Sequence, residues 1–113
     1  WDVHKVTTMQ DMFCQAVTFN QDLSKWDVSA VTNMGYMFSD SSAFNQDLSK
    51  WDVSAVTDMG YMFYGASAFK RELCGVAWVN SNADKREMFK GSPGSISSTV
   101  CKTTTPGYGG DYG

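Results

Sequence analysis

Bulky apolar residues return along this chain at a fixed interval, separated by polar stretches. Trp-Asp-Val stands at Trp1, Trp26 and Trp51, a strict step of 25. Met-Phe stands at Met12-Phe13, Met37-Phe38 and Met62-Phe63 in the same step, and returns at Met88-Phe89. Phe19, Phe44 and Phe69 form a third column, and Leu23, Leu48 and Leu73 a fourth. The block W-D-V-S-A-V-T fills 26–32 and again 51–57. Every Phe of the chain falls in one of these columns, and Met9, Met34 and Met59 form a further one at the same step. Self-similarity at such a period marks repeats that cannot bury their large side chains singly and do so by lying against their neighbours.

Within one repeat the finer pattern predicts short elements. Trp26 and Val28 are two apart, the spacing of one face of a strand, with Asp27 on the other face. Thr32 offers an N-cap hydroxyl, and Met34, Met37 and Phe38 follow at helical spacing, with Tyr36 on the opposite face. Ser39-Asp40-Ser41-Ser42 then reads as a loop, and Asn45-Gln46-Asp47 as a turn into the next strand. The expected fold is an α/β repeat solenoid of about four coils. It has short parallel strands at the Trp-Asp-Val segments, short helical turns at the Met-x-x-Met-Phe segments and a C-terminal cap. Stacked coils would also place Asn20 and Asn45 in one ladder, buried and serving backbone groups or simply forming surface turns.

Three regions follow. Residues 1–73 hold three regular repeats. Residues 74–101 hold a degenerate last coil and cap, because Trp78 follows Trp51 by 27 residues and Met88 follows Met62 by 26. Residues 102–113, rich in Thr, Gly and Tyr, read as a flexible tail, with Thr103-Thr104-Thr105-Pro106 suited to O-glycosylation or a linker. A chain that begins within a Trp-Asp-Val motif reads as a fragment of a longer precursor.

The spacing L-x-x-W-x-V-x-x-V over Leu23, Trp26, Val28 and Val31 is close to that of leucine-rich repeats. The longer consensus F-N-Q-D-L-S-x-W-D-V-S-x-V-T-x-M-x-x-M-F resembles the BspA-like leucine-rich-repeat surface proteins, strongly over about residues 1–73 and as a variant over 74–101. That resemblance implies an extracellular or cell-surface location, secretion, and adhesion or partner binding. It implies no catalytic activity and no cofactor.

Composition narrows the partners. Of 113 residues 19% are charged, with a formal net charge of −3, which disfavours nucleic acid as a partner. No apolar run reaches the roughly 20 residues that span a bilayer, so direct membrane insertion is not expected. Cys74 stands in the column of Ser24 and Ser49, and Cys101 closes the cap. A disulfide between them would staple the cap and fit an oxidising compartment, two buried thiols being the alternative. Cys14 reads as a free thiol or the partner of a cysteine upstream.

Two surface rows are candidate ligand-binding sites. Asp2, Asp27 and Asp52, flanked by His4, Ser29 and Ser54, would form a ladder of carboxylates. Each has three readings: hydrogen bonds within its own coil or pairing with Lys25 and Lys50, contact with a partner, or weak Ca²⁺ binding. Tyr36 and Tyr61 would stack on the outer face, to contact a protein or glycan or to pack on each other. No catalytic residues, phosphate loop or nucleophile–base pair is apparent. The expected role is a non-enzymatic binding module for an extracellular protein or glycan. The alternative is a structural spacer or subunit of a larger assembly, self-associating through its open N-terminal coil.

Overall fold

A computed structural model describes residues 2–101 of the chain. Trp1 and the expected tail at 102–113 lie outside the described residues. The α/β solenoid of four coils is not what forms. Among the described residues the regular elements are β1 (Glu72–Leu73), α1 (Val76–Val79) and β2 (Ser95–Ile96). The two strands pair in parallel, Glu72 beside Ser95 and Leu73 beside Ile96. No strand forms at Trp26–Val28 or Trp51–Val53, and no helix at Met34–Phe38 or Met59–Phe63.

Backbone angles explain the missing helices. Tyr36 and Tyr61, at the middle of the expected helical turns, have φ of 58° and 59°. Asp11 and Glu87, in the same column, have φ of 60° and 52°. Four residues further on, Gln15, Asp40, Gly65 and Gly91 are also left-handed. A right-handed helix cannot run through such residues, each of which costs a non-glycine side chain about 1–2 kcal/mol. Gly65 has a second reason to be glycine: the Asp40 side chain lies where its Cβ would stand.

The chain instead alternates local and lateral hydrogen bonds along this stretch. Met37 N–H donates back to the Met34 carbonyl and Ser39 N–H to that of Tyr36, at 3.3 and 3.1 Å. Between them, Tyr36 N–H donates across to the Gly60 carbonyl (3.0 Å), Phe38 N–H to Met62 (2.8 Å) and Asp40 N–H to Tyr64 (2.6 Å). The same step relates Asp11, Phe13 and Gln15 to Gly35, Met37 and Ser39, and Tyr61, Phe63 and Gly65 to Arg86, Met88 and Lys90. Isolated parallel bridges link Thr8 to Asn33, Asn33 to Asp58 and Asp58 to Asp84. Neighbouring 25-residue segments therefore lie side by side and share main-chain bonds.

Lateral pairing brings the aromatic columns into register. Phe13, Phe38, Phe63 and Phe89 stack with ring centroids 5.4 Å apart and planes within 7°. Phe19, Phe44 and Phe69 form a parallel row at 6.0 Å. The rows interlock, Phe38 lying 4.1 Å from Phe44 and Phe63 4.2 Å from Phe69. Met34, Met37, Met59, Met62, Leu48 and Val53 complete the core, all with 0% exposure. The indole N–H of Trp51 donates to the Leu23 carbonyl, and that of Trp78 to the Leu48 carbonyl, both at 2.8 Å. Each buried indole thus meets its polar need one segment back.

The last segment departs from the others. Gly75 precedes α1, and the Ser49 carbonyl approaches so closely that no Cβ fits there. Trp78 on α1 is buried, and Cys74 is joined to Cys101 by a disulfide with a Cα–Cα distance of 4.9 Å.

Candidate binding surface

The corners of the fold are built by side-chain caps. Asp27 Oδ1 accepts from the Ser29 amide (3.0 Å) and hydroxyl (2.5 Å), and Asp52 does the same for Ser54 at 3.0 and 2.6 Å. Asp2 accepts from the His4 amide and contacts its ring Nδ1. Asp22 and Asp47 accept from the amides of Ser24 and Ser49. These are Asx turns, in which a short carboxylate satisfies a backbone donor two residues on. The hydrogen bond from Ser29 is the leading cause that holds the Asp27 carboxyl below the usual range, as the His4 ring does for Asp2. His4 is in turn raised by Asp2.

The acidic row at Asp2, Asp27 and Asp52 is thus exposed, and each carboxylate is occupied within its own segment. Among the described residues no three His, Cys, Asp or Glu side chains converge to hold a metal ion. The Asn ladder is present but not buried. Asn20 Oδ1 accepts from the Asn45 amide (2.8 Å), and Asn45 Oδ1 from the Lys70 amide (2.9 Å).

Tyr36 and Tyr61 lie face to face, centroids 4.8 Å apart and planes within 1°. The Arg86 guanidinium covers the Tyr61 ring at 5.9 Å and bridges the carboxylates of Asp58 (3.3 Å) and Asp84 (2.8 Å). The Asp58 charge is the leading cause that raises the guanidinium pKa. Much of the area of both rings is spent on each other and on Arg86. Cys14 is half-buried and outside any disulfide, and desolvation pushes its thiol up.

A cleft of about 630 Å³ opens where the last segment departs from its neighbour. One wall is formed by residues 49–57 and the other by α1 and residues 80–83. Val56, Val76 and Ala77 give it apolar area, and Asp52, Asn80 and Asn82 rim it with polar groups. Val76 is 51% exposed. The side-chain amides of Asn80 and Asn82 make no hydrogen bond among the described residues.

The cleft brings Asp52 and Ser54 together with residues that the sequence reading missed. The repeat pattern draws the eye to columns, and Val76, Asn80 and Asn82 belong to none. Their signal was the irregularity itself: two added residues between Trp51 and Trp78, where a step of 25 would have laid one segment flat on the next. Asp2, Asp27, Tyr36 and Tyr61 do not line the cleft.

No helix among the described residues is long and apolar enough to cross a membrane. Comparison with curated proteins gives no match, and comparison with solved structures gives none. Residues 1–99 match a family described as "Mycoplasma protein of unknown function, DUF285". That match takes in the paired segments, the aromatic rows and both walls of the cleft, and the chain belongs to the DUF285 family.

Proposed function

We propose that this chain is a non-enzymatic binding module of the cell surface, which takes a glycan or an extracellular protein into the cleft beside α1. The cleft carries the reading. Its volume falls within the several-hundred-Å³ range of small-ligand sites, and it combines apolar area with a polar rim. Apolar C–H faces of a sugar ring suit Val56, Val76 and Ala77. Hydroxyl groups suit the unengaged amides of Asn80 and Asn82. The Cys74–Cys101 bond favours an oxidising, extracellular setting, where such bonds persist. The BspA-like resemblance of the repeat points to the same place and to adhesion.

Binding of the full chain to an array of oligosaccharides and extracellular-matrix proteins tests this. Retention of a defined glycan or protein, reduced at least tenfold in Asn80→Ala/Asn82→Ala, is the expected result. Binding that survives the double variant removes the cleft from the account, and failure to bind any member of the array removes the glycan-or-matrix reading.

A further inference from the structure

We infer that the cleft beside α1 recognises the N-acetyl groups of an amino-sugar glycan, with the acetamido methyl on Val76 and Ala77 and its amide held by Asn80 and Asn82. The inference rests on the glycan reading above and narrows it to one chemical class.

The apolar wall of the cleft is aliphatic. Trp51 lines it but is only 2% exposed, and Trp78 on α1 is 0% exposed. The N–H groups of both indoles are spent on the Leu23 and Leu48 carbonyls. Val56 is buried as well, so the accessible apolar surface is chiefly exposed Val76 with half-buried Ala77 beside it. Such a patch meets C–H groups, but it offers no aromatic plane on which a whole sugar ring could stack. It is sized for a compact apolar group. Sugars carry two of these, the methyl of an acetamido substituent and the methyl of a deoxy sugar.

The polar rim decides between them. Most hydroxyls on the cleft are already engaged. Ser54 donates to Asp52 Oδ1, Thr57 donates to the Thr32 carbonyl, and Ser81 Oγ accepts from the Ala83 amide. The remaining groups on the α1 side are the carboxamides of Asn80 and Asn82, two residues apart and just beyond the patch. A carboxamide both donates and accepts, and so does the secondary amide of an acetamido group. A methyl flanked by a donor and an acceptor is the pattern of that substituent. The methyl of a deoxy sugar has no amide attached to it. On the opposite wall Lys50 and the second oxygen of Asp52 face the cleft and suit ring hydroxyls.

Titration calorimetry of the full chain with three oligosaccharides tests the inference. Tri-N-acetylchitotriose carries the acetamido group, cellotriose has a hydroxyl in its place, and fucosyllactose has a methyl without the amide. The expected result is an affinity for chitotriose roughly tenfold above that for the other two, the worth of one buried methyl and one or two hydrogen bonds. Saturation-transfer NMR should be strongest at the acetyl methyls. Val76→Ser, at an exposed position, should remove most of the preference while the melting curve stays in place. A hyaluronan tetrasaccharide, with the same group on an acidic chain, distinguishes matrix glycans from chitin as the source, and tighter binding of either supports the inference. Equal or tighter binding of cellotriose or fucosyllactose would overturn it and leave the cleft a glycan site. A preference that survives Val76→Ser places recognition outside the cleft and overturns it too. If no sugar binds, the glycan reading itself fails and the inference with it.

Discussion

The two long sides of this molecule are held by different means. Along residues 33–40 and 58–65 the backbone itself crosses between neighbouring segments every second residue. Along the Trp-Asp-Val side, most of the ties are side chains. Indoles reach back to leucine carbonyls, Asx turns fix the corners, and Thr57 bonds Thr32 through its amide (2.8 Å) and hydroxyl (3.1 Å). A main-chain ladder tolerates almost any side chain that fits, but it holds the segments at one spacing. Side-chain ties last only as long as the residues that make them. The cleft opens on the second side, where the last segment replaces the Trp-Asp-Val pattern with α1. On the ladder side the same segment stays paired through Arg86, Met88 and Lys90.

Substitutions test that contrast. The largest effect belongs to the aromatic row beneath the ladder. Phe63 stacks on Phe38, Phe69 and Phe89 with 0% exposure, and Phe63→Ala should lower unfolding stability by about 3–5 kcal/mol in urea titration. Next comes the disulfide, which ties the departing segment across 27 residues. Cys74→Ser/Cys101→Ser should cost about 3–4 kcal/mol on the chain-entropy model, measured in the same way. Trp51→Phe removes the indole hydrogen bond to the Leu23 carbonyl, which keeps the Trp26 amide as a donor, and should cost about 0.5–1.5 kcal/mol. If Trp51→Phe proved as damaging as Phe63→Ala, the contrast between the two sides would fail.

The smallest effect is a titration. The Asp2 carboxylate favours the protonated His4 ring, so the folded-state pKa lies above the ordinary histidine value of 6.5. The pair contributes its small stability fully below the unfolded value and loses it as pH rises through the raised folded one. The reverse holds for Asp2, whose lowered pKa makes its contribution present above about 3.8 and lost as pH falls. The His4 ring protons, followed by NMR, should titrate above 6.5 and return toward it in Asp2→Asn.

The sequence made some of this legible and hid the rest for definite reasons. The step of 25 located the residues that touch: Phe38 on Phe63, Tyr36 on Tyr61, Asn20 on Asn45. It misjudged their backbone. Trp26 and Val28 alternate as in a strand, but Asx turns at Asp27 and Asp52 bend the chain there. Met34, Met37 and Phe38 have helical spacing, but Tyr36 is left-handed. Side-chain spacing reports which residues share a face and is blind to the sign of φ, and Tyr is a residue for which positive φ is not expected. The acidic row was legible as a row; its engagement within each corner followed from Ser or His two residues on. The cleft was not legible, because periodic reasoning discards the segment that breaks the period.

Amide hydrogen exchange on a dilute sample tests the lateral ladder most directly. The account predicts strong protection at Tyr36, Phe38, Tyr61 and Phe63, whose N–H groups cross to the next segment, and fast exchange at Glu87 and Phe89, which occupy the same columns and donate to nothing among the described residues. Equal protection across these columns, or rapid exchange at Phe38 and Phe63, would contradict it.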